Sequence, residues 1–252
     1  MSTVKLYFCD VREVDKDLTH VSENPQRVLS YRRHEDRVRC VTGELMIRSL
    51  VGKVIRNDGH QNIKPVSPGG PFFNLSHDRD FVVLGICDAW SVGVDIMKIQ
   101  PSNPIVAVSD MLANLRNIFQ LHEWEFIQSG CTDYEKLERF YILWTAKEAY
   151  VKCLGTGLYT EPIEISLYGF EHSLDLTISQ CGKPASHSSN FKVRILNNLF
   201  PEYMVAICLG PTHLCDPSWT RLVEHVESLP MTAPDSILLD QPTAFSLNPF
   251  TK

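Results

Sequence analysis

Apolar and polar positions follow two rhythms along this chain, and the longest stretch of the helical rhythm runs from Thr132 to Gly155. Leu137, Phe140, Tyr141, Trp144 and Val151 recur there at helical spacing, which predicts one buried face. Thr132 followed by Glu135 has the spacing of a capping box, in which each side chain satisfies a free backbone N–H at the helix start. Gly155 stands where a left-handed residue commonly closes a helix. Glu148 falls near the centre of the apolar stripe, between Trp144 and Val151. A buried carboxylate without a partner is strongly unfavourable, so its position predicts a cation or a metal ion facing it. Lys147 flanks it, and Lys152 follows one turn later, so a plain helix ion pair is the competing reading.

The period-two rhythm marks the other elements. Val4 to Val11 predicts an opening strand. A basic helical region spans Pro25 to Ile55, its first half carrying Arg27, Arg32, Arg33, Arg37 and Arg39, its second half apolar on most sides. For the arginines at 32, 33 and 37 a solvated helix face is the simplest reading. The segment NIKPVSPGGPFF is loop by its turn chemistry. Phe81 to Cys87 and Ser91 to Ile96, joined by a short turn at Asp88 to Trp90, predict a β-hairpin. In the second of these, Asp95 alternates with Val92, Val94 and Ile96 and so points to the opposite sheet face. Aspartate is depleted in strands, which singles it out. Helices are predicted at Val106 to Phe119 and His122 to Gln128. After the long helix, Ile163–Leu167, Leu174–Ile178, Phe191–Ile195 and Tyr203–Leu209 predict an antiparallel meander. Beyond Pro211 the chain is rich in proline, with a small helix expected at Val223 to Leu229 and an irregular arm after it. The fold class is α+β, and similar element content in the two halves allows two lobes: 1–92, 93–215, and a proline-rich arm over 216–252.

With 252 residues, 44% hydrophobic and 21% charged, the composition is that of an ordinary globular protein. A net charge of −6 argues against generic nucleic-acid binding but leaves room for a local basic pocket. Eight cysteines include no C-x-x-C pair, and several sit in apolar runs as reduced core cysteines do. The first residues lack the pattern of a secretory signal, and no apolar run reaches the ~20 residues of a membrane span. The expectation is a soluble cytoplasmic protein without nucleic-acid or membrane partners.

Asp95 and Glu148, converging, would make an oxygen-ligand site suited to Mg²⁺, an ion that keeps waters and bridges to substrate phosphates. Lys152 beside them would act as a point charge on those phosphates. Ser76 and His77 precede Asp95 in the chain, and their extended spacing and the lack of a G-x-S-x-G elbow argue against a hydrolase pair. There is no P-loop and no strand-anchored G-x-G-x-x-G. Residue types alone thus point to a Mg²⁺-dependent enzyme acting on a phosphorylated substrate.

FNLSHD (Phe73 to Asp78), VGVDI (Val92 to Ile96) and WTAKEAYVK (Trp144 to Lys152) resemble, in order and spacing, the three signature motifs of the 4′-phosphopantetheinyl transferases. The resemblance runs from about Arg27 to Tyr203 and is closest to the monomeric two-lobed type. GELMIRSLV and GVDIMK resemble the animal enzymes that serve aminoadipate-semialdehyde dehydrogenase and fatty-acid synthase. It implies two similar α/β lobes about a pseudo-twofold axis, with coenzyme A in the cleft between them. The implied reaction moves the phosphopantetheine arm of coenzyme A to a serine of an apo carrier protein. Asp95 and Glu148 match the Mg²⁺ ligands, and Lys152 matches the lysine that assists departure of 3′,5′-ADP. Glu148, or alternatively Glu123, matches the base. For coenzyme A, the resemblance implies His77 with Ser76 beside it at the 3′-phosphate, together with Arg27, Arg39, Lys64 and Lys152. Met97 stands where bacterial members often carry a second acid, and Ile63 replaces a glycine before Lys64. The rival functions are another Mg²⁺-dependent phosphoryl-transfer enzyme and a non-catalytic scaffold that binds carrier proteins.

Overall fold

The computed structural model describes residues 4–14, 21–54, 67–157, 160–183 and 190–211, with the backbone of two further strands at 223–228 and 244–245. Helices and sheets are mixed in an α+β arrangement, and the described residues fall into two compact units that change over between Ala89 and Trp90.

The first unit is built on β1 (Val4–Asp10), β2 (Phe72–Asp78) and β3 (Phe81–Cys87), with helices α1 (Pro25–Ser30) and α2 (His34–Leu50). β3 lies between β1 and β2, antiparallel to both. Two late strands, β9 (Val223–Ser228) and β10 (Ala244–Phe245), extend this sheet, β9 running parallel to β1. The expected helix at Val223 to Leu229 is therefore a strand, because the open edge of β1 supplies a backbone ladder that no local helix signal outweighs. α2 covers one sheet face, where Val38, Val41 and Leu45 join Tyr7, Cys9, Phe73, Val82 and Leu84 in one core. The basic region is broken at Tyr31 to Arg33, so α1 and α2 are separate helices.

The predicted hairpin is corrected. β3 turns back on β2 through Arg79 and Asp80, with Arg79 at φ 47°, and not on the strand after it. That strand, β4 (Ser91–Lys98), opens the second unit and pairs instead with β8 (Tyr203–Gly210). β8 is buried along its whole length, so it takes a ladder from each neighbour, β4 and β7 (Lys192–Leu196). The order β4-β8-β7-β6-β5 places β5 (Ile165–Tyr168) and β6 (Asp175–Gln180) as the remaining steps of the expected meander.

On this second sheet lies α5 (Asp133–Leu154), the long helix of the sequence. Thr132 caps it, its Oγ1 accepting from Glu135 N at 3.1 Å. Glu135 reaches one residue further back than a capping box requires and accepts from Cys131 N at 2.6 Å. Gly155 closes the helix at φ 74°, its N–H donating to Val151 O. α3 (Val108–Asn114) is shorter than predicted because the chain tightens into a 3₁₀ turn at Arg116–Ile118, and α4 (Leu121–Gln128) then packs on α5.

Candidate functional site

The second unit brings Asp95, Glu148 and Lys152 together, Asp95 from β4 and the other two from α5. The join between these elements is set by Gly93. A Cβ there would lie 2.0 Å from Ala149 O and 2.4 Å from Cys153 N, so only glycine lets the helix backbone come so close to the strand. Ser91 ties the same edge, its Oγ donating to Cys153 O at 2.8 Å while Cys153 Sγ donates to Ser91 O. Alternation along β4 carries Asp95 to the face of Gly93, the face that meets α5. Asp95 is 3% exposed, and its Oδ1 accepts from Lys152 Nζ at 2.5 Å. Lys152 thus pairs across to the strand, and the i,i+4 partner that the competing reading gives Glu148 is bound to another carboxylate.

Glu148 does not sit at the centre of a buried stripe, as the periodicity predicts. It is half-buried at the flank of α5, and the charge that is buried is its neighbour Lys147, 1% exposed. The helix is enclosed by the sheet on one side and by α4 on the other, so its buried surface is wider than one apolar stripe. Burial pushes the Glu148 carboxyl above its ordinary range, the Asp95 carboxylate pushes the same way, and the Lys152 ammonium opposes both. Two neighbouring carboxylates beside one ammonium form an oxygen donor set that suits a hard divalent cation. Among the described residues no group of three or more His, Cys, Asp or Glu side chains is placed to hold a metal ion, so the protein donors here number two.

Lys147 points away from these groups. Its Nζ lies 2.7 Å from Glu123 Oε2, and it also donates to Ile118 O and Pro162 O. Glu123, 0% exposed, accepts from Gln120 N and Leu167 N as well. The alternative base is thus enclosed and holds three hydrogen bonds within the protein, which speaks against that role. The periodicity placed Lys147 on a flank because its partners come from three separate segments.

The other described candidates lie in the first unit. Ser76 is buried and His77 exposed, neighbours on β2 pointing to opposite faces. Arg27 is exposed on α1. Arg39 on α2 donates to Arg79 O at 2.6 Å and forms an ion pair with Asp36. It lines a cavity of about 650 Å³ with Arg12, Arg33, His34, Arg79 and Asp80, a surface the sequence did not single out. Lys64 and Ile63 lie outside the described residues. No described helix is long and apolar enough to cross a membrane.

Comparison with known proteins bears on the same segment. Residues 91–208 match the family model described as ACPS, the 4′-phosphopantetheinyl transferase superfamily. A phosphopantetheinyl transferase of Thraustochytrium sp. is 35% identical over 151 residues, covering 54% of this chain and 52% of that protein. The human L-aminoadipate-semialdehyde dehydrogenase-phosphopantetheinyl transferase is 29% identical over 177 residues, covering 64% of this chain and 56% of its own. A 4′-phosphopantetheinyl transferase, gsp, of Aneurinibacillus migulanus is 31% identical over 145 residues, covering 54% and 56%. The chain spans about half the length of these relatives.

Proposed function

We propose that this protein, whose residues 91–208 match the model of the 4′-phosphopantetheinyl transferase superfamily, transfers the phosphopantetheine arm of coenzyme A to a serine of an apo carrier protein. The observation that carries the proposal is the placing of Asp95, Glu148 and Lys152 at the Gly93 crossing inside the matched segment. Asp95 and Glu148 would hold a Mg²⁺ ion, which when bound supplies charge neutralisation for the pyrophosphate. Glu148, raised in proton affinity and half open to solvent, is the base for the incoming serine hydroxyl. Lys152 supplies positive charge next to Asp95 and, in the transfer, to the departing 3′,5′-ADP. Positioning and charge stabilisation of this kind suffice for phosphoryl chemistry, because the serine is a poor nucleophile until it is oriented and deprotonated.

The same proposal gives Arg27, Arg39, Lys64, Ser76 and His77 to the nucleotide end of coenzyme A. The exposure of His77 suits it to contact a ligand, whereas Arg39 already bonds to Asp36 and Arg79 O. The two units are taken as the two related lobes of this family. Carrier domains like those of aminoadipate-semialdehyde dehydrogenase and fatty-acid synthase are the proposed acceptors. The function is tested by following release of 3′,5′-ADP from coenzyme A. Release that requires both an apo carrier and its serine supports it; carrier-independent release or none contradicts it.

A further inference from the structure

Beside the site lies a knot of buried charge that the transfer itself does not use. The three protons of Lys147 Nζ go to Glu123 Oε2 at 2.7 Å, Ile118 O at 3.2 Å and Pro162 O at 3.0 Å. Glu123 Oε2 also accepts from Gln120 N at 2.9 Å, and its Oε1 accepts from Leu167 N at 2.9 Å. The ammonium further rests on the Phe119 ring, 5.1 Å from its centroid. One ion pair thus joins α5 to α4, to the 3₁₀ turns at Arg116–Ile118 and Pro162–Glu164, and to β5.

Its place around the helix axis matters. Successive helical residues are turned by about 100°, so Lys147 lies about 200° from Ala149. Ala149 is the residue whose carbonyl meets Gly93 of β4. The helix is therefore gripped on opposite sides, by backbone contact at β4 and by the ion-pair knot, and Glu148 projects between the two grips. Apolar packing alone is non-directional and lets a helix roll. A saturated set of hydrogen bonds in a low-dielectric interior is directional, and fixing register is the best-attested use of buried charge.

Resting on the transferase reading, we propose that Glu123 and Lys147 are positioning residues that fix the rotation of α5 and so aim Glu148 at Asp95. A side chain on α5 reaches roughly 5–6 Å from the axis, so a roll of about 10° displaces its end by about 1 Å. Misplacement on that scale can cost about a hundredfold in rate.

The test compares the wild type with the double variant Glu123→Gln/Lys147→Met, which leaves no unpaired buried charge. Its melting temperature, its Mn²⁺ affinity without coenzyme A, and its kcat and KM for coenzyme A are measured. The expected result is a melting temperature within a few degrees of wild type. With it come a kcat about 10- to 100-fold lower, a KM for coenzyme A within about twofold, and Mn²⁺ binding weakened severalfold. A folded double variant with wild-type kcat and Mn²⁺ affinity overturns the proposal, as does a loss confined to KM. If the double variant does not fold, Glu123→Asp keeps the charge while withdrawing the carboxylate by one methylene. It should show the same fall in kcat at constant KM, and wild-type kcat in it overturns the proposal. A wild type that loads no carrier counts instead against the transferase reading, and the Mn²⁺ affinities of the folded variants then decide the positioning role alone.

Discussion

At the scale of single residues, the proposed chemistry concentrates on Glu148. Its raised proton affinity has burial as first cause and the neighbouring Asp95 as second. A carboxyl whose folded-state pKa lies above its unfolded one contributes stability that is complete below the ordinary value of 4.5 and is lost as the pH rises through the folded-state value. In chelator at neutral pH the carboxyl therefore contributes less stability than it does below 4.5. Glu148→Gln should melt at a higher temperature than the wild type there, with the gap closing below pH 4.5, while transfer is abolished. A variant that melts at or below the wild type at neutral pH contradicts the burial argument, and one that keeps full transfer contradicts the catalytic role. Gly93 is the other decisive residue. Gly93→Ala would drive a methyl into Ala149 O and the Cys153 backbone, neither of which is a flexible side-chain end. A loss of roughly 1–3 kcal/mol is expected in denaturant unfolding, together with transfer activity, because α5 must leave the strand that bears Asp95.

At the scale of elements, α5 is held by its ends as well as its faces. Thr132→Ala removes the acceptor for Glu135 N and should cost about 1 kcal/mol. Gly155→Ala puts a side chain at φ 74° and should cost about as much. Unfolding midpoints unchanged in either variant would show that the helix ends carry no weight. These ends were legible in the sequence because capping is local, decided by residues within one turn. Asp95 was legible for a similar reason, since strand alternation alone carries it to the face opposite Val92, Val94 and Ile96. The pairing of β4 was not, because its partner β8 comes late in the chain and apolar alternation fits either neighbour equally well. Lys147 was misjudged for the same physical reason. Its burial is compensated by Glu123, Ile118 and Pro162, groups that no periodicity within α5 can report. The late strand β9 escaped notice because an edge ladder with β1 outweighs weak local propensity.

At the scale of the molecule, the distribution of cysteines gives an independent check on the fold. Cys9, Cys40, Cys87, Cys153 and Cys208 are buried, whereas Cys131 and Cys181 are exposed; Cys215 lies outside the described residues. Burial, aided by Asp10 and Glu13, pushes the Cys9 thiol up to about 12, so it stays protonated and inert at pH 8. A thiol reagent applied to the native protein at that pH should label Cys131 and Cys181 readily and the five buried cysteines only after denaturation. Ready labelling of Cys9 in the native state would contradict the packing of the first unit. The function, in turn, rests on the joint presence of a superfamily match over residues 91–208 and a two-carboxylate, one-lysine site within it. The most direct measurement is the mass of an apo acyl carrier protein after incubation with this protein, coenzyme A and Mg²⁺. The account predicts a gain of one phosphopantetheine arm, lost when the metal is chelated and lost in Glu148→Gln. An unchanged carrier mass across several apo carriers, from a folded protein that binds coenzyme A, would contradict it and favour a non-catalytic carrier binder.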